Sequence, residues 1–73
     1  MGDYSRKLVV LLESEIDDFT EQDMRRWWRH HCKKVTTNGE TFFIVANRFN
    51  AKEGVKRLAS FGVNARMALR PVP

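Results

Sequence analysis

The 73-residue chain predicts an α+β fold, a small β-α-β-β-α-β ferredoxin-like sandwich. Three observations point there. Residues 8–12 form an uninterrupted apolar run of strand length. Asn38-Gly39 sits between two β-forming stretches. A helical stripe of apolar residues both precedes and follows that hairpin signal.

Arg6 and Lys7 lead into Leu8-Val9-Val10-Leu11-Leu12, hydrophobic on both faces, which suits a central strand. Residues 13–18 make a polar, acidic connection. Thr20 followed by Asp23 resembles a capping box with Asp in place of the usual Glu, so Thr20 is the expected cap of the first helix. Met24, Trp27, Trp28 and His31 then fall at i, i+3, i+4 and i+7. Met24, Trp27 and His31 are the expected buried centre, with Trp28 at its margin and Arg25, Arg26, Arg29 and Lys33 on the outer side. Acids at the start of this helix and bases at its end both suit the helix dipole.

Val35-Thr36-Thr37 and residues 40–45 flank Asn38-Gly39, and a type I′ turn needs the positive φ that Asn-Gly supplies. Asn50, with Glu53 three residues on, is the expected cap of a second helix whose buried stripe is Ala51, Val55, Leu58 and Ala59. Gly62 is placed to end it in the left-handed conformation. Residues 63–70 alternate, with Ala65, Met67 and Leu69 on one face and Arg66, Ala68 and Arg70 on the other, and Pro71 and Pro73 are expected to stop the strand. In this order the first and third strands are central and the last lies at an edge, where its arginines blunt edge-to-edge pairing. If residues 35–37 do not pair, a three-stranded β-α-β-α-β sheet is the fallback. Residues 1–73 read as one domain without an internal linker, and residues 1–5 and 71–73 as loose termini.

Charge is distributed unevenly. Residues 1–23 hold seven acids and two bases, a formal −5, and residues 24–73 hold two acids and eleven bases, a formal +9, which gives the net +4. A long basic segment attracts nucleic acid or an acidic protein surface. Cys32 is the only cysteine, so disulfides are excluded and a reducing, cytoplasmic setting is expected. No apolar run is long enough to span a bilayer, no signal peptide fits, and Arg6 stands where a myristoylation signal wants Ser or Thr.

Several constellations suggest chemistry. His30-His31-Cys32 resembles a metal or nucleophile motif, but consecutive helical residues diverge and no other Cys or His exists to complete a site. Glu13, Glu15, Asp17 and Asp18 lack the spacing and central Gly of a calcium loop and read as a solvated connection. Four acids after the first strand also argue against a phosphate cradle there. No Gly-rich nucleotide loop or serine elbow is present. No enzymatic activity, cofactor or metal is expected.

Asn38-Gly39-Glu40-Thr41-Phe42-Phe43-Ile44-Val45 loosely resembles the aromatic motif of RNA recognition motifs but lacks the second spaced aromatic. Phe42 and Phe43 point to opposite faces, so one lies under the helices and the other faces the open side, as a stacking platform or as packing. Trp28 beside arginines has the composition of an interface hot spot, or of flank packing with Arg stacked on it.

Over its whole length the chain resembles small phage-encoded transcription regulators that bind bacterial RNA polymerase, inhibitors and antiterminators of the lytic Xanthomonas phage type. The resemblance is carried by Met1-Gly2-Asp3-Tyr4-Ser5-Arg6-Lys7, by residues 25–34 and by Arg70-Pro71-Val72-Pro73. It implies a non-enzymatic protein that docks on the largest polymerase subunit near the RNA exit channel. Such a protein inhibits initiation and lets elongation pass intrinsic terminators, with the elongation factor NusA and nascent RNA as further partners. Side-chain chemistry, rather than a family motif, nominates Tyr4, Arg6, Trp28 and Arg29 as the polymerase-binding surface and Lys33, Lys34, Arg66 and Arg70 as the RNA-facing set. The alternative is a stand-alone RNA-binding domain of RNA-recognition-motif-like architecture.

Overall fold

The computed structural model describes residues 5–29 and 32–72, in the order β1 (Ser5–Leu12), α1 (Asp18–Trp28), β2 (Cys32–Thr37), β3 (Glu40–Val45), α2 (Arg48–Ser60) and β4 (Ala65–Val72). The four strands form one antiparallel sheet in the order β2-β3-β1-β4, so the two most apolar strands are central and β4 is an edge. This is the expected β-α-β-β-α-β sandwich, and the three-stranded fallback does not apply. Asn38 and Gly39 both adopt positive φ, 51° and 77°, as a tight hairpin turn requires.

Strand alternation sorts the core into two layers. Val10 and Phe43 lie under the helices with Met24, Trp28, Ala51, Leu58 and Val63. Val9, Leu11, Phe42 and Val72 form a second cluster on the opposite face, flanked by Val35, Ile44 and Ala68. Both phenylalanines are therefore core.

The helices differ from expectation at their ends. Asp17, rather than Thr20, caps α1, its carboxylate accepting from the Thr20 amide at 2.8 Å. Asn47, rather than Asn50, caps α2 in the same way at 2.8 Å. In both cases the capping side chain lies three residues before the residue expected to cap, because it must reach forward to the N3 amide. Gly62 has φ +79° and follows α2 as expected, with its amide donating to the Ala59 carbonyl.

Helix α1 stops at Trp28, and Arg29 turns the chain with φ 58°. Cys32, Lys33 and Lys34, expected at the helix end, instead open β2 and pair with Val45, Ile44 and Phe43. A six-residue ladder against β3 satisfies more backbone groups than another helical turn, so tertiary pairing overrides the local pattern. His31, expected in the buried stripe, lies outside the described residues. Pro71 and Val72, expected in a loose terminus, continue β4 opposite Arg6 and Ser5, and Val72 is buried. A strand at the sheet edge tolerates Pro because one row of its amides has no partner.

The two tryptophans exchange the roles expected of them. Trp28 is 3% exposed and Trp27 37% exposed. The Trp28 ring packs on Phe43 with centroids 5.1 Å apart, and its indole N–H donates to the Asn50 carbonyl at 3.2 Å. A Cβ at Gly54 would stand 2.0 Å from Trp28 Cζ2, so only glycine lets α2 approach the indole this closely. Gly54→Ala normally stabilises a helix interior by up to about 1 kcal/mol. Here the overlap dominates, and the substitution is expected to lower stability by roughly 1–3 kcal/mol in denaturant unfolding. An unchanged or raised midpoint would contradict this packing.

Candidate docking surfaces

The contacts between helices fix their relative direction. Trp28, at the end of α1, meets Asn50 at the start of α2, while the Asp23 carboxylate accepts from Arg57 Nε at 3.0 Å in the last turn of α2. The helices are therefore antiparallel. Together with the strand registers, this gathers the start of β1, the end of α1, the start of β2, the end of β3 and the start of α2 at one end of the domain.

That end is basic. It carries Arg6, Lys7, Arg26, Arg29, Lys33, Arg48 and Lys52, none of which forms an ion pair among the described residues. The opposite end carries Glu13, Glu15, Asp17 and Asp18 in the β1–α1 connection and Glu40 at the hairpin. A cleft of about 490 Å³ opens there, lined by Leu12, Glu13, Glu15, Ile16, Lys34 and Thr41 among others. The charge asymmetry along the chain thus becomes a charge separation in space.

The nominated polymerase-binding residues are divided by this arrangement. Arg6 and Arg29 are exposed at the basic end. Trp28 is inside the core and unavailable as a surface anchor; its neighbour Trp27 presents the accessible indole, with the Arg57 guanidinium 5.3 Å from its ring centroid. Tyr4 lies outside the described residues.

The RNA-facing set does not converge either. Lys33 is exposed on the face away from the helices, on the edge strand β2. Lys34 points the other way and pairs with Glu21 on α1, which also accepts from Arg25 at 3.2 Å. These cations hold the Glu21 carboxyl below its ordinary value. Arg66 and Arg70 share the Lys33 face but lie on β4, the opposite edge, three strand spacings or roughly 14 Å away.

Arg66 Nε lies 3.9 Å from Glu13, and Arg70 makes a two-point pair with Glu40, Nε to Oε1 at 2.8 Å and one terminal nitrogen to Oε2 at 2.9 Å. Arg70 stands opposite Lys7, and Glu40 precedes Thr41, which stands opposite Leu12. On a flat sheet that separates the two by roughly 20 Å along the strands. The pair nevertheless closes, so the two corners meet on the side of the sheet that holds the Val9–Leu11–Phe42 cluster, as a coiled rather than a flat sheet allows.

Two exposed aromatics were not among the nominated residues. Phe19 is 67% exposed and Phe49 69% exposed, each in the first turn of its helix. Their signal was present: Phe19 is five residues before Met24 and Phe49 two before Ala51, both off the buried stripes. Cys32 is half-buried against the main core, and that burial pushes its thiol up, away from nucleophilic character.

The Arg70 guanidinium holds the Glu40 carboxyl below its ordinary value. A carboxylate depressed in the folded state contributes stability above its unfolded value and loses it as pH falls through the lowered folded one. Glu40→Gln is therefore expected to lower the thermal midpoint at neutral pH, with the gap to wild type closing below about pH 4. A gap that persists unchanged in acid would show that the ion pair is not its source.

No known protein family, characterised protein or solved structure matches the chain in comparison. No helix among the described residues is long and apolar enough to cross a membrane.

Proposed function

We propose that this protein is a non-enzymatic transcription regulator that binds bacterial RNA polymerase, inhibits initiation and promotes read-through of intrinsic terminators near the RNA exit channel. The observation that carries the reading is the separation of charge, with seven cations at one end of the domain that form no ion pair among the described residues. A surface of that kind engages an acidic protein surface or the phosphates of nascent RNA. The whole-chain resemblance to phage-encoded polymerase regulators supplies the partner, with the largest subunit as the docking target and NusA as a co-factor of antitermination.

Within this proposal Arg6, Arg29 and Lys33 act from the basic end. Lys34, Arg66 and Arg70 contribute through the internal pairs already described, so the RNA-facing role concentrates on Lys33. The stand-alone RNA-binding alternative is disfavoured by one observation. Phe42, the aromatic on the sheet face away from the helices, is 1% exposed and offers no platform on which a base could stack.

Recovery of polymerase by the tagged protein from nuclease-treated bacterial lysate, repeated with purified polymerase, tests the reading. The large subunits are expected to remain bound at moderate salt and after nuclease. Recovery of RNA alone, lost on nuclease treatment, would refute it in favour of the RNA-binding alternative.

A further inference from the structure

The outer face of the helical layer carries a repeated arrangement whose phenylalanines the core does not use. On α1, Phe19, Asp23 and Arg26 fall at i, i+4 and i+7; on α2, Phe49, Glu53 and Lys56 fall at the same spacing. Each stripe begins with a phenylalanine more than two-thirds exposed, while Trp28 and Leu58 hold the inner side. Trp27 lies on the α2-facing side of α1 beneath Arg57 and remains over a third exposed. Because the helices are antiparallel, Phe19 and Phe49 stand at opposite ends of one surface.

We infer that this helical face, with Phe19, Trp27 and Phe49 as anchors, is the surface that docks on a protein partner bearing an acidic rim around apolar pockets. The inference rests on the proposed function and supplies its contact surface, in place of one built on Trp28. Charge complementarity selects the partner. The acids of the two stripes are already engaged, Asp23 by Arg57 at 3.0 Å and Glu53 by Lys56 at 3.4 Å. Counting both helices and their caps, Arg26, Arg29, Arg48 and Lys52 form no ion pair among the described residues, against two acids in that state, Asp17 and Asp18, which adjoin Phe19. The part of the face that bears Trp27 and Phe49 therefore presents surplus positive charge, whereas Phe19 adjoins the acids at the start of α1. Trp and Arg are the side chains enriched where a protein interface concentrates its binding energy.

A Phe in the first turn of a helix, off its buried stripe, contributes little to folding, so it can be removed without loss of the core. Phe19→Ser with Phe49→Ser is expected to leave thermal unfolding within a few degrees of wild type and to weaken binding to purified RNA polymerase by roughly thirtyfold or more. Hydroxyl-radical footprinting of the wild-type complex supplies a second readout, with Phe19, Trp27 and Phe49 protected and Phe61 at the end of α2 as an internal reference. Polymerase binding retained by the folded double variant, or unprotected rings in the wild-type complex, would overturn the assignment of this face while leaving polymerase binding in place. Failure of the wild type to bind polymerase would overturn the proposed function, and this inference with it.

Discussion

The rest of the molecule depends on the fit between one indole and one missing side chain. Trp28 enters the core where Gly54 leaves room for it, packs at a tilt against Phe43 of the central strand β3 and bonds to the first turn of α2 through its N–H. Three elements meet at that ring. In a chain of 73 residues with no disulfide, few other side chains can bury comparable area. Helix α1 ends at that residue: the chain turns at Arg29 and enters β2, whose pairing with β3 replaces a further helical turn. With Trp28 inside, Trp27 falls at the surface, one residue or about 100° around the helix.

That geometry turns a charge pattern along the chain into one in space. The acids cluster in the β1–α1 connection and the bases in α1's last turn, in early α2 and along both edge strands. Antiparallel helices over an antiparallel sheet bring the connection and the hairpin to one end and most of the unpaired bases to the other. Opposite charges are matched within the body, Arg25 and Lys34 on Glu21 and Arg57 on Asp23, and across opposite corners of the sheet, Arg70 on Glu40. Exposed pairs of this kind each add little stability. Their larger effect is to decide which cations remain free for a partner.

The fold was legible because its signals are local and mutually consistent. A wholly apolar run names the central strand, Asn-Gly names the hairpin, and alternation names the edge strand. What was not legible required knowledge of the third dimension. Trp27 and Trp28 are both compatible with the α1 stripe, and only Gly54, 26 residues further on, determines which one is inside. The caps lie three residues before the expected ones because Asp17 and Asn47 act forward onto the amides of Thr20 and Asn50. Phe42 and Phe43 are expected from alternation to point to opposite faces, with packing as one of the two roles for the outer one, and both are buried. Of the nominated residues, Arg6, Arg29 and Lys33 are exposed, whereas Trp28, Lys34 and Arg70 are engaged within the molecule, by partners on other elements that no local pattern names.

The sorting of the two tryptophans underlies both the packing and the accessible face, and their indole N–H groups report it separately. Hydrogen exchange at these two groups, assigned with Trp27→Phe and Trp28→Phe variants, is the most direct test. The account predicts strong protection at Trp28, whose N–H is bonded to Asn50 inside the core, and exchange near the solvent rate at Trp27. Protection at Trp27 with free exchange at Trp28 would contradict it, and the helical face described here would then be wrongly assigned.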